Sequence, residues 1–108
     1  MFTTLTPQVN DSDNVLLRKW AQKVGATDLH NDTDHMALVK IAEALGATDT
    51  RLDTDNLLLK KIAASYGATL TRHDSDYNLL TKIARALGAT NLRHDSENVL
   101  LKKILTLA

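Results

Sequence analysis

From residue 11 to the end, apolar and polar positions recur with a single period. Asp11, Asp32, Asp53, Asp74 and Asp95 stand 21 residues apart, and each opens the same pattern. Four complete copies span 11–31, 32–52, 53–73 and 74–94, and a fifth, 95–108, stops after its fourteenth position. Counted from the aspartate, apolar residues fall at positions 6, 7, 10, 11, 13 and 14, one continuous arc of roughly 160° on a helix. In the second copy these are Ala37, Leu38, Ile41, Ala42, Ala44 and Leu45. Lys19, Lys40, Lys61, Lys82 and Lys103, at position 9, fall on the opposite side.

Each copy predicts one helix and one connection. Ser12, Thr33, Thr54, Ser75 and Ser96 at position 2 are N-cap residues. The acidic residue that follows suits the positive end of a helix dipole. Gly25, Gly46, Gly67 and Gly88 at position 15 are the expected helix stops, since the residue after a C-cap favours positive φ. The helix between these signals has about 12 residues, or roughly 18 Å. Expected packing or interface positions are Leu17, Leu38, Leu59, Leu80 and Leu101 at position 7. Trp20, Ile41, Ile62, Ile83 and Ile104 at position 10 join them. Position 5 (Val15, Met36, Leu57, Asn78, Val99) is apolar in four of five copies although it points to the polar side, which predicts a second contact surface.

The expected fold is all-α: five short helices in 21-residue single-helix repeats, arranged as a supercoiled helix-turn-helix fibre or an α-solenoid. A connection of about nine residues reaches roughly 30 Å when extended. It either reverses the next helix or returns it parallel to the last. Residues 1–10, with Pro7 among threonines, read as an extended N-terminal arm. A lone short helix cannot bury so wide a face, so each must pack on neighbouring repeats, on other chains, or on both.

Composition narrows the function classes. The 108 residues carry thirteen basic and thirteen acidic side chains, without the one-signed excess of a nucleic-acid or membrane coat. The absence of cysteine excludes disulfides, thiolate zinc sites and cysteine nucleophiles. No apolar run approaches the roughly 20 residues of a membrane span. The start lacks the basic and apolar regions of a secretory leader. A basic ladder of lysines is offset by equally regular acids, which predicts Lys–Asp contacts between copies or a solvated mixed face; neither nucleic acid nor membrane is an expected partner.

The candidate chemistry reads as structure. The Asp-Ser/Thr-Asp runs lack the glycine of a calcium loop, a glutamate stands at the twelfth position only at Glu43, and helix capping accounts for every copy. His73 and His94 each sit between an arginine and an aspartate, where a solvated loop histidine beside a repeat-to-repeat Arg–Asp contact is the simplest reading; no cluster has a ligand spacing such as H-x-x-x-H. Serine, histidine and aspartate recur as parts of a repeated turn, whereas a catalytic constellation is normally unique in a domain. The expectation is therefore no enzyme, no metal and no cofactor. Trp20 replaces the isoleucine of later copies, as a terminal cap would, and Leu105 with Leu107 makes the last helix more apolar than its siblings.

The runs DSENVLLKKI and DTDHMALVKIAEALGAT resemble repeats of tailed-bacteriophage structural proteins of the head-fibre and tail-fibre type. The resemblance covers residues 11–108, by repeat style, and carries no catalytic signature. It implies a non-enzymatic fibre, spike or decoration component of a phage virion, a homotrimer wound about a common axis. Its implied partners are itself and other virion proteins, and its location is the virion. The alternative is a monomeric α-solenoid interaction module, located in the cytoplasm.

Overall fold

The computed structural model describes residues 2–108. Five helices of 11 residues each follow one another: α1 (Asp13–Lys23), α2 (Asp34–Ala44), α3 (Asp55–Ser65), α4 (Asp76–Ala86) and α5 (Glu97–Leu107). The described residues contain no strand. Every helix starts the same way: the position-2 hydroxyl accepts the position-5 amide at 3.1–3.2 Å. The first four also end alike. Each glycine amide bonds the position-12 carbonyl and the following alanine amide bonds the position-11 carbonyl, as in Gly46 to Glu43 at 3.0 Å and Ala47 to Ala42 at 2.9 Å. This is a Schellman closure, and it needs positive φ at the glycine.

Gly46 has φ +101° and nothing within 4 Å of where a Cβ would stand. Gly46→Val is therefore expected to destabilise through backbone strain alone, by about 1–2 kcal/mol. Urea unfolding followed by circular dichroism measures it, and an unchanged midpoint would show that the turn relaxes freely.

Each helix packs on its successor, and α5 packs on α1. The solenoid closes into a ring, a disc of 35 × 33 × 18 Å. An 11-residue helix is roughly 16 Å long, so the helices stand across the disc. All five first turns meet at one mouth of the ring, which makes the helices parallel. Each connection therefore returns the chain along the helix length before the next helix begins. Positions 6, 7, 10 and 11 are buried in every copy and form one core with Leu29 and Leu92 from the connections. Position 13 departs from expectation. Lys23, Ala44, Ser65, Ala86 and Leu107 are exposed, so the buried arc is narrower than the sequence pattern. The cover that intertwined chains would supply comes from two neighbours within the same chain.

The N-terminal arm also has a more definite place than an extended lead-in. Lys40 and Lys61 donate to the carbonyls 13 residues earlier, Thr27 at 3.1 Å and Thr48 at 2.8 Å, and Lys19 donates to Thr6 in the same register at 3.1 Å. Lys60 reaches the position-20 carbonyl of its own connection, Arg72, at 3.3 Å. Lys102 of α5 reaches Val9, the arm residue in that register, at 3.0 Å. The arm is the connection that the fifth copy lacks, supplied from the other end of the chain. Residues 4–108 amount to 105 positions, five times 21.

Trp20 is not a cap, because a ring has no ends. It is 1% exposed, and its Nε1 donates at 3.3 Å to the hydroxyl of Tyr66, the C-cap residue of α3. Since α1 and α3 are not neighbours in the ring, this bond crosses the interior. Leu105 is fully buried within the same core, while Leu107 is exposed.

Candidate functional site

Two surfaces are repeated by the ring: an axial mouth and an outer rim. At the mouth, Asp13, Asp34, Asp55, Asp76 and Glu97 stand above Leu17, Leu38, Leu59, Leu80 and Leu101 around a cavity of about 100 Å³. Positions 3 and 7 are one helical turn apart, so each helix contributes one acid and one leucine to the axis. The volume is on the scale of a few water molecules.

The four aspartates among these acids help hold neighbouring helices together. Asn14 donates to the Asp32 carbonyl at 3.1 Å and to Asp34 at 2.8 Å. Asn56 repeats this on Asp74 and Asp76, at 3.1 and 2.9 Å. Asn98 repeats it across the closure, on the Asp11 carbonyl at 3.1 Å and on Asp13 at 2.8 Å. His35 takes the same place and its Nδ1 lies 2.6 Å from Asp55. Tyr77 donates to the Asp95 carbonyl at 2.6 Å. Position 4 is thus the polar clasp of each joint, a role the sequence reading missed. Its signal was the asparagine in three of five copies at an otherwise variable position.

The lysines are not a solvated face. Each position-9 lysine pairs with the aspartate that opens its own copy, at 2.5–2.8 Å, so the contacts lie within copies rather than between them. The expected Arg–Asp contacts at His73 and His94 are replaced by these pairs, Lys82 taking Asp74 and Lys103 taking Asp95. His73 and His94 themselves are exposed, in separate connections. Among the described residues, no group of three or more histidine or acidic side chains is placed to hold a metal ion.

The third connection differs from the others. Asp28, Asp49 and Asn91 occupy position 18 with φ of 55–58°, a conformation open to short polar residues. Leu70 stands there in the third connection and keeps negative φ. Thr71 turns outward and gives Asp74 both its amide, at 3.0 Å, and its hydroxyl, at 2.6 Å. Lys82 adds a bond of 2.7 Å, and together these donors hold the Asp74 carboxyl well below the usual carboxylate range. At Asp11, burial pushes the carboxyl up, but Lys19 and the Gln8 amide outweigh it and leave it lowered.

A folded-state value below the unfolded one stabilises the protein above the ordinary carboxylate pKa and loses that stability as pH falls through it. Melting temperature is therefore expected to fall as pH drops from about 4 toward 2. Asp74→Asn should flatten that decline. An identical acid limb in the variant would exclude Asp74 as its source.

On the rim, position 5 is solvent-facing, with Met36 at 46% and Leu57 at 43% exposure. Shallow grooves separate the Gly-Ala-Thr turns from the next helix, as between Gly25–Thr27 and Lys40, Glu43 and Ala44. A matching groove at Gly88–Thr90 is bordered by Val99, Lys102 and Leu107. Among the described residues, no helix is long and apolar enough to cross a membrane. No family model, no curated protein and no solved structure matches the chain.

Proposed function

We propose that the chain is a non-catalytic ring module that is complete as a monomer and offers its outer rim to other proteins. The observation that carries this reading is closure: α5 meets α1 with the same clasp that joins internal repeats, so the core is covered without a second chain. The serines support the absence of catalysis. Ser12, Ser75 and Ser96 are spent as helix caps, and Ser65 donates to the Lys61 carbonyl of its own helix at 3.1 Å. The exposed apolar residues at position 5 are the part of the rim suited to protein contact. Light scattering coupled to size exclusion tests the reading. A mass near 11.9 kDa is expected, and a mass near three times that at micromolar concentration would overturn it in favour of a homotrimer.

The repeat resemblance supports a second reading, a structural component of a phage virion. In that setting closed rings would associate through their rims with each other or with other virion proteins. Quantitative mass spectrometry of purified particles distinguishes the readings, since a virion component is present at a fixed copy number per particle.

A further inference from the structure

Four of the five joints in the ring are spanned by a covalent connection, and one is not. The α5–α1 joint is held by apolar packing and by a few polar contacts. Asn98 clasps Asp11 and Asp13, and Lys102 reaches Val9 at 3.0 Å. Lys23 holds the last turn of α5 through the carbonyls of Leu105 at 2.8 Å and Thr106 at 3.3 Å. Opening this joint, together with the α1–α2 joint beside it, frees α1 without breaking the backbone. It exposes two faces that complement each other, because the leading face of α5 serves the same contact that α1 to α4 make, and the trailing face of α1 serves the contact that α2 to α5 make.

We propose that the α5–α1 joint is an exchange interface, and that its alternative occupant is a second copy of this chain. In the exchanged form, α1 and the N-terminal arm of each copy swing out on the connection 24–33. They sit between α5 and α2 of the other copy, so that two five-helix rings form, each with one borrowed helix. The two forms contain the same joints, so specific contacts do not separate them. What separates them is effective concentration: within one chain α1 is present at roughly millimolar levels, held there by its connection to α2. Reciprocal exchange of α1 is a domain swap, and it closes at two copies. This inference goes beyond the monomeric reading above and fails separately from it, because dilute native protein reports the ring and concentrated refolded protein reports the exchange.

The experiment refolds the full chain from denaturant at low micromolar and at millimolar concentration, then measures mass by light scattering. The low-concentration sample is expected at 11.9 kDa, and the concentrated sample is expected to contain a species at about twice that mass that relaxes to monomer after dilution. Asn98→Ala weakens the joint equally in both forms, so it should leave their balance unchanged and speed relaxation roughly five- to tenfold, as expected for about 1 kcal/mol of lost hydrogen bonding. Asn56→Ala removes the same clasp at an internal joint and should leave the relaxation rate unchanged. Equal acceleration by both variants would mean that exchange passes through global unfolding, which overturns the assignment to this joint. Only monomer after concentrated refolding of the parent chain would overturn the proposal outright. A third form, with residues 1–3 removed and Ala108 joined to Thr4 by a peptide bond, has no free joint and should remain monomeric at every concentration. Dimer formation by that circle would also refute the exchange.

Discussion

Trp20→Ala is expected to lower the stability of the ring by about 3–5 kcal/mol, the range for truncating a buried aromatic side chain. The indole is 1% exposed and lies in a layer otherwise made by Ile41, Ile62, Ile83 and Ile104. The space between α1 and α3 in the interior is spanned by one large side chain, the indole that reaches Tyr66. Truncation opens that space and also leaves the Tyr66 hydroxyl without the Nε1 donor it meets at 3.3 Å. Trp20→Ile should cost less, because isoleucine is the residue every other helix presents there, although that space then loses its filler. Urea unfolding monitored at 222 nm gives both values. Alanine and isoleucine variants of equal stability would show that the indole does not fill that space.

Removing residues 1–10 is the second large effect, expected at about 3–4 kcal/mol. Lys19, only 4% exposed, loses the Thr6 carbonyl and the Phe2 ring whose centroid lies 5.6 Å from its ammonium. Lys102 loses Val9, Gln22 loses the paired bonds to Phe2 at 3.0 and 3.1 Å, and the α5–α1 joint is uncovered. At about 1 kcal/mol net for each of four hydrogen bonds, the total matches that range. The counterpart is a permuted chain that begins at Gly46, runs to Ala108, continues through Thr4 and ends at Leu45. It retains all 105 ring positions and moves the break to another connection. Its circular dichroism should match that of the parent, and it should be monomeric by light scattering. A permutant that does not fold would mean that the natural break is the only one the ring accepts.

The helices were legible in the sequence because their signals are local. Each cap, each acidic first turn and each glycine lies within a residue or two of the boundary it sets. The ring was not legible, because closure depends on the angle added at each joint, and that angle comes from how side chains such as Leu16, Ala37 and Leu58 fit the next helix. The clasp at position 4 was hidden for a related reason. Asn14 and Asp34 are 20 residues apart, and Asn98 and Asp13 are 85 apart, yet the two contacts are the same. The arm did leave a trace. Thr6 occupies the register of Thr27, Thr48, Thr69 and Thr90, but Pro7 and Val9 depart from the repeated residues and hide the match. Exposure at position 5 fits the expected second surface, whereas position 13 faces outward, and Lys23 reaches α5 with its ammonium alone, on the carbonyls of Leu105 and Thr106.

Closure also imposes an integer constraint on the chain. In an open stack, a unit gained or lost by duplication changes only the length, and every remaining unit keeps its surroundings. In a ring of five, each joint supplies a fifth of a full turn. A sixth copy of 21 residues could preserve every local contact and still find no vacant wedge in the plane of the disc. Either all joints would have to flatten together or the array would have to spiral out of register. Growth by single repeats is therefore all-or-none here, and variation is channelled into what each of five fixed sectors displays: methionine, leucine, asparagine or valine at the same outward position of successive copies.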